Sequence, residues 1–167
     1  MIVEPFLVDE MLLRLGRWLR MMGQDVANPD GAADSELRQR ARAENRTLIT
    51  RDRRLAEACM SAGAKCILVK SSELEDQLAE MAEQGISLRL DPVRCTLCNS
   101  PLERLENPTQ DIVGREGLPE RSPLAGGKEE SDDRARWKCK GCGKLYWEGA
   151  HWKRMKEILE EVISRKG

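Results

Sequence analysis

Four carboxylates stand where a predicted strand ends or a predicted helix begins. Asp9 directly follows the apolar run at the N-terminus, and Asp52 follows a second compact apolar run. Asp34 and Glu36 open a helical segment between those two runs. Parallel strands present their carboxyl ends at one edge of a sheet, so we expect these side chains to meet there. Hard divalent cations prefer oxygen ligands and activate water for attack on a phosphodiester. One interpretation is therefore a catalytic Mg²⁺ or Mn²⁺ site held by Asp9, Asp34 and Asp52, with Glu36 beside it.

The same positions are also ones in which acidic residues cap helices. An Asp at an N-cap is ordinary, and each of Asp9, Asp34 and Asp52 stands where such a cap is expected. The two interpretations are compatible, because one carboxylate oxygen can accept from a helix N–H group while the other binds a cation. The order of residues along the chain leaves both interpretations open.

Arginines stand close to these carboxylates along the chain. Arg14, Arg17 and Arg20 lie on the flank and back of a helix predicted for residues 10–22, and Arg51 flanks the second strand-end carboxylate. Guanidinium groups bind phosphate oxygens bidentately, which makes these arginines candidates for holding a substrate backbone. The alternative for an arginine on the outer face of a helix is a solvated position without a ligand.

Four cysteines form two CxxC pairs, Cys95 with Cys98 and Cys139 with Cys142. Each spacing lets two thiolates occupy adjacent corners of a Zn²⁺ tetrahedron. The long segment between the pairs is compatible with one site, because the cost of closing a loop grows slowly with its length. Two redox motifs are the alternative, but the surrounding sequence lacks a thioredoxin-like context. We therefore predict a structural zinc ion with four cysteine ligands.

Strand and helix signals alternate through the first part of the chain, up to Pro92. Such alternation predicts an α/β fold in which helices cover both faces of a parallel sheet. The remainder holds four of the six cysteines and three of the four tryptophans, around a polar, Gly/Pro-rich middle. We therefore predict an α/β domain over residues 1–92. A small zinc ribbon follows over residues 93–167, with a long insert loop and a C-terminal helix.

The composition excludes some classes of protein. The chain has 167 residues and a net charge of −1, which excludes a globally basic nucleic-acid coat but leaves room for a local basic site. No apolar run approaches the roughly 18 residues of a membrane helix. Acidic residues occupy the N-terminal positions where a secretory signal would be basic. We expect a cytoplasmic protein without membrane contact, whose cysteines bind metal or stay reduced.

Four blocks in series resemble the Mut-seven C-terminal ribonuclease domain family, a PIN-like group with an attached zinc ribbon. The blocks are FLVDEMLLRLGRWLRMMGQDV (residues 6–26), TLITRDRRL (47–55), RCTLCNSPL (94–102) and WKCKGCGKLYWEGAHWKRM (137–155). The resemblance covers almost the whole chain. It implies a PIN-like parallel sheet between helices and a metal-dependent acidic site for RNA cleavage.

The same resemblance assigns roles to individual residues. Asp9 and Asp52 match the acids after the first strand and in the TRD block, and Asp34 matches the acid before the middle helix, with Glu36 as its partner. The arginine-bearing first helix of the family is matched by two arginines. These are Arg17 and Arg20.

Three functions follow from these observations. The leading hypothesis is a ribonuclease that hydrolyses RNA phosphodiester bonds through the acidic Mg²⁺ or Mn²⁺ site, with the zinc ribbon aiding RNA binding. The alternative is a zinc-ribbon module that binds RNA or a protein without catalysis. A third is a toxin-like nuclease with a dedicated inhibitor, although a minimal toxin would not need the zinc module. The sequence does not identify the RNA target or any protein partner.

Overall fold

The computed structural model describes residues 5–105 and 135–166. The insert loop predicted between the two CxxC pairs falls mostly on residues 106–134, outside the described residues. Within the described ranges, no helix is both long and apolar enough to cross a bilayer.

A four-stranded parallel sheet forms the centre of the first part of the chain. Its strands are β1 (Phe6–Val8), β2 (Val26–Ala27), β3 (Thr47–Thr50) and β4 (Cys66–Leu68), in the spatial order β2-β1-β3-β4. Every neighbouring pair is parallel, and Val8 lies opposite Ile49 in the register of β1 and β3. The carboxyl ends of β1 and β3 therefore adjoin, which is the arrangement expected for the two strand-end carboxylates.

Helices follow the strands, as the alternating pattern predicts. They are α1 (Leu13–Met21), α2 (Asp34–Ala43), α3 (Arg53–Ser61), α4 (Leu74–Glu83) and α5 (Ala150–Lys166). A short 3₁₀ turn at Glu10–Leu12 precedes α1. Helix α1 lies close to β1, because a Cβ atom added at Gly16 would stand only 3.1 Å from Cγ2 of Val8.

The two faces of the sheet bury different helices. On one face, Leu19 of α1, Leu78 of α4 and Leu159 of α5 belong to a single large core. Apolar strand residues that point to this face complete that core. On the other face, Leu37 of α2 and Leu55 of α3 form a smaller core. The period-2 alternation of a strand divides its side chains between the two cores.

A second sheet carries the cysteines. Its antiparallel strands are β5 (Leu102–Arg104), β6 (Arg136–Cys139) and β7 (Leu145–Trp147), in that spatial order. Together with the four-stranded sheet, this confirms the predicted α/β fold with a smaller cysteine-bearing ribbon.

The described residues after Pro92 do not form a core of their own. Trp152 and Leu159 of α5 are buried in the same core as α1 and α4. The ring of Trp152 stacks on Trp137 of β6, with centroids 5.4 Å apart and planes 10° from parallel. The division into residues 1–92 and 93–167 stays a prediction, since the chain on both sides of Pro92 packs into one interior.

Candidate active site and metal centre

Asp9 lies at the carboxyl end of β1 and is only 6% exposed. Its Oδ1 accepts a hydrogen bond of 3.0 Å from the N–H of Met11 and so caps the 3₁₀ turn. Its Oδ2 accepts a short hydrogen bond from the hydroxyl of Thr50 at the end of β3. Both oxygens are thus fixed in direction by neighbouring groups.

Thr50 connects the two strand-end carboxylates. Its fully buried hydroxyl donates to Asp9 and accepts a 3.0 Å hydrogen bond from the N–H of Asp52. Sequence reasoning missed this residue, because a threonine in a strand is explained by β-propensity alone. The signal that points to it is its place as the last residue of a buried strand, directly before the Arg-Asp pair.

Asp52 caps α3. Its Oδ1 accepts from the N–H groups of Arg54, at 2.9 Å, and of Leu55, at 3.3 Å. The capping interpretation is therefore confirmed for Asp9 and Asp52. It does not exclude a cation, because the cap of α3 uses one oxygen of Asp52 and leaves the other outside it.

The acids of α2 take different positions. Asp34 is exposed and is the first residue of the helix, while Ala33 occupies the N-cap, so the expected N-cap role of Asp34 is wrong. The Oε2 atom of Glu36 accepts from the N–H of Ala33 at 3.2 Å. Glu10, which sequence reasoning also missed, accepts from the N–H of Gly31 at 2.9 Å and joins the loop before α2 to the 3₁₀ turn.

Electrostatics link these carboxylates. Burial raises the pKa of Asp9 above its ordinary value, and the negative charges of Asp34 and Asp52 raise it further. The hydrogen bonds from Thr50 and Met11 act in the opposite direction and favour the ionised form. A divalent cation at this edge would relieve both the burial of charge and the repulsion between carboxylates.

The carboxylates do not form a closed cage. Among residues 5–105 and 135–166, the four ribbon cysteines are the only group of three or more possible ligands gathered closely enough to hold a metal ion, and their sulfur atoms lie within 4.8 Å of one another. Asp9, Asp34 and Asp52 are thus electrostatic neighbours at one edge, and their side chains must draw together to share one ion.

The candidate phosphate-binding arginines divide into two groups. Arg14 and Arg17 are exposed on α1 and have no hydrogen bond or ion pair to any residue that the structure describes. Arg51 is half-buried beside Asp52, and its buried Nε has no hydrogen-bond partner. These three side chains keep donors that are not used by the fold.

Arg20 is placed differently, and its expected position on the solvated side of α1 is wrong. The residue is 2% exposed. Its Nε and Nη2 donate to the carbonyl oxygen of Val26 at 2.8 and 2.5 Å, and its Nη1 donates to that of Thr96 at 2.7 Å. Arg20 therefore joins the edge strand β2 to the first CxxC turn and is not presented to a substrate.

The four ribbon cysteines lie close enough together to hold a metal ion. Sγ of Cys95 lies 3.6 Å from that of Cys142, and Sγ of Cys98 lies 3.4 Å from that of Cys139. A tetrahedral site with Zn–S bonds of about 2.3 Å requires sulfur atoms about 3.8 Å apart, so the donor set fits zinc. The six cysteines of the chain form no disulfide.

Groups in the CxxC turns donate hydrogen bonds to two of the cysteine sulfur atoms. The Sγ atom of Cys139 accepts from the N–H groups of Gly141 and Cys142, both at 3.3 Å. A hydrogen bond from the side chain of Ser100 lowers the pKa of Cys98 to about 6. A Cβ added at Gly141 would stand 2.9 Å from Cβ of Ser100, so this turn requires glycine.

The first CxxC turn is docked against the edge of the parallel sheet. Asn99 accepts from the N–H of Val26 at 3.1 Å and donates to the carboxylate of Asp25 at 2.6 Å. Arg46 completes the cluster with a 2.8 Å ion pair to Asp25. The N–H group of Val26 in β2 is thus satisfied by Asn99 of the CxxC turn and its carbonyl group by Arg20 of α1, which protects this edge of the sheet.

Comparison with known proteins identifies the family. No curated protein and no solved structure matches the chain. The model of the Mut7-C RNAse domain family matches residues 4–159, nearly the whole chain, including the acidic edge and all four ribbon cysteines. We conclude that the chain belongs to the Mut7-C RNAse domain family.

Proposed function

We propose that the protein is a ribonuclease that hydrolyses RNA phosphodiester bonds with Mg²⁺ or Mn²⁺ at the carboxyl edge of the parallel sheet. The observation that carries this proposal is Asp9, a buried carboxylate on which the charges of Asp34 and Asp52 act. Burying a carboxylate beside two others is unfavourable unless a cation offsets it. The family to which the chain belongs is described as an RNAse domain.

Residues of this chain would hold the cation and fix the direction of its carboxylate ligands. A dication held by Asp9, Asp34 and Asp52 would lower the pKa of a bound water and stabilise the charge on the phosphodiester. Thr50 fixes the direction of the Asp9 carboxylate, and the α3 cap fixes that of Asp52. Glu36, in the first turn of α2, is the further carboxylate that we assign to this group.

The proposed RNA contacts lie on both parts of the chain. Arg14 and Arg17 are exposed on the helix that follows Asp9, and Arg51 directly precedes Asp52. We assign these three arginines to the phosphates and the zinc ribbon to holding the backbone at a distance from the acidic edge. Reduced thiols at the zinc site suit the cytoplasm as the protein's location.

The proposal is tested by single-turnover cleavage of a mixed RNA pool by the zinc-loaded protein with Mn²⁺. Wild type is compared with Asp9→Asn, Asp52→Asn and the control Asp76→Asn, which changes an exposed acid on α4. We expect cleavage by the wild type and the control and its loss in the two site variants. Cleavage of equal rate in all four proteins would refute the mechanism.

A second function, binding without catalysis, is favoured by the capping geometry. Asp9, Asp52 and Glu36 each accept from a backbone N–H group at the start of a helical segment. Carboxylates that serve only as caps would bind no dication. Calorimetric titration of the zinc-loaded protein with Mn²⁺ separates the two functions. Heat of binding that disappears in Asp9→Asn supports the nuclease, whereas RNA affinity without any Mn²⁺ binding supports the binding module.

A further inference from the structure

The ribbon sheet has two chemically different faces, which the strand register defines. Trp137 lies opposite Tyr146, and these two side chains share one face. Trp137 stacks on Trp152 of α5, and the hydroxyl of Tyr146 lies 3.0 Å from Oγ1 of Thr96. This inner face is therefore occupied by the rest of the protein.

Residues that alternate with these point to the opposite side, here called the outer ribbon face. The register pairs Arg136 with Trp147, and it pairs Lys138 with both Leu145 and Glu103. The outer ribbon face consists of these five residues: Glu103, Arg136, Lys138, Leu145 and Trp147. It carries two cations and one anion around an aromatic ring.

Trp147 is the exposed aromatic ring of this face. Its side chain is 52% exposed, whereas Trp18 and Trp152 are 9% and 7% exposed. A Cβ added at Gly149 would stand 3.1 Å from Nε1 and 3.2 Å from Cδ1 of the indole, so the edge of the ring rests close to the backbone at Gly149. The indole is thus held by the protein at its edge while half of its surface faces solvent.

Further cations lie in the neighbouring segments of the chain. Lys140 is exposed in the turn after β6. Helix α5 begins three residues after Trp147, and its first turns expose His151, Lys153 and Arg154. The acidic groups nearby are fewer, Glu103 on the same face and Glu148 next to the ring, with Glu157 paired to Arg154 at 3.4 Å.

We propose that the outer ribbon face binds single-stranded RNA, with one unpaired base stacked on Trp147 and the adjacent phosphates held by Lys138 and Lys140. A flat ring flanked by separated cations fits a chain whose bases and phosphates alternate. Paired bases would not reach the indole, which selects single strands over duplexes. The choice of RNA rests on the proposed ribonuclease function, and the surface would supply binding through residues other than those of the acidic edge.

The test measures binding of a fluorescein-labelled oligouridylate to the full-length, zinc-loaded protein by anisotropy. The Asp9→Asn background is used without added Mn²⁺, so that no cleavage occurs. We expect Trp147→Ala to weaken binding roughly tenfold or more, and Trp147→Phe to retain most of the affinity because it keeps a stacking ring. Lys138→Ala should reduce the slope of log affinity on log salt by about 0.7.

Two controls separate the outer ribbon face from general surface effects. Met60→Ala removes another exposed apolar side chain, on α3, and Arg165→Ala removes an exposed cation near the end of α5. Neither should change the affinity. Tryptophan fluorescence gives a direct readout, because RNA should quench the wild-type signal and should quench Trp147→Phe much less. Equal zinc content in all variants shows that they are folded.

The outcomes separate this proposal from the proposed function. If Trp147→Ala and Lys138→Ala bind RNA as tightly as their parent, the surface is refuted, even when the wild type cleaves RNA. If Trp147→Phe loses as much affinity as Trp147→Ala, stacking is refuted. If binding depends on Trp147 but the wild type shows no cleavage with Mn²⁺, the surface is supported and the nuclease function fails.

Discussion

Replacing Arg20 by methionine should destabilise the protein strongly without acting through the substrate. Methionine keeps an apolar stem in the buried position but removes every donor. The carbonyl oxygens of Val26 and Thr96 then lose the hydrogen bonds of 2.5 to 2.8 Å that the guanidinium donates. Burial also lowers the pKa of Arg20, because it disfavours the charged guanidinium.

The magnitude follows from the two acceptors. A hydrogen bond to a charged group contributes about 1.5–3 kcal/mol, and two of the three bonds share the Val26 oxygen. We therefore expect a loss of about 3–6 kcal/mol, which for a chain of this size lowers Tm by roughly 10–20 °C. Most single domains have about 5–15 kcal/mol of stability, so this loss is a large fraction of the total.

The assay is urea denaturation of the zinc-loaded protein, followed by tryptophan fluorescence. Arg17→Met is the matched control, since Arg17 is exposed on the same helix and should change the free energy of unfolding by less than about 0.5 kcal/mol. The RNA readout should show the reverse order, with Arg17→Met weakening RNA binding and Arg20→Met leaving it intact at temperatures where the variant is folded. Arg20→Met as stable as the wild type would refute the assigned contacts.

Three further predictions concern the acidic edge and the zinc turn. Thr50→Val, which removes the hydroxyl between Asp9 and Asp52, should slow Mn²⁺-dependent cleavage and cost about 1–3 kcal/mol of stability, and Thr50→Ser should restore both. Burial alone would raise the pKa of Asp25, but hydrogen bonds from Arg46 and Asn99 lower it below its ordinary value of 3.8. The ionised carboxylate therefore stabilises the fold above that pH, and this stabilisation is lost in acid. Asp25→Asn should accordingly lower Tm at neutral pH but not in acid. A difference in Tm between wild type and variant that is the same at both pH values would contradict the ion pair. Gly141→Ala should weaken zinc retention against a chelator, because the added methyl group would contact Ser100, whereas Gly63→Ala, whose cost is confined to its own positive φ of 73° in the turn after α3, should retain zinc.

The sequence predicts the site's position better than its internal contacts. Asp9 and Asp52 could be placed at one sheet edge because each directly follows an apolar strand and the strands are parallel. The four cysteines could be grouped because their spacing is that of a zinc site. Both predictions use the order of residues in short segments, and the first also uses the rule that parallel strands end at the same edge of a sheet. The structure places the two carboxylates at one edge and the four cysteines together.

Contacts from distant parts of the chain explain what the pattern does not show. Arg20 falls on the polar side of α1 in a helical projection, yet the turn containing Thr96, far along the chain, covers that side. The 3₁₀ turn at Glu10–Leu12 advances by about 120° per residue instead of the 100° of an α-helix. A helical projection that begins at Glu10 therefore misplaces the residues of this turn relative to those of α1. A helix periodicity alone therefore cannot separate a buried arginine from a solvated one.

The boundary at Pro92 shows a similar limit. Composition changes sharply there, and the sheets on either side differ in type, yet α5 returns to pack against α4. Pairing of helices that are remote in sequence leaves no mark in the local composition. A domain boundary inferred from composition therefore does not reveal that the two parts share a core.

The central claim is that Asp9, Asp34 and Asp52 bind one dication at the carboxyl edge of the parallel sheet. Crystals soaked in Mn²⁺ test it most directly, with anomalous diffraction data and the zinc signal at the four cysteines as the internal control. We expect a Mn²⁺ peak in contact with oxygens of these three carboxylates in the wild type and no such peak in Asp9→Asn. A clear zinc peak with no Mn²⁺ density at the acidic edge, or with the three carboxylates turned away from one another, would contradict it.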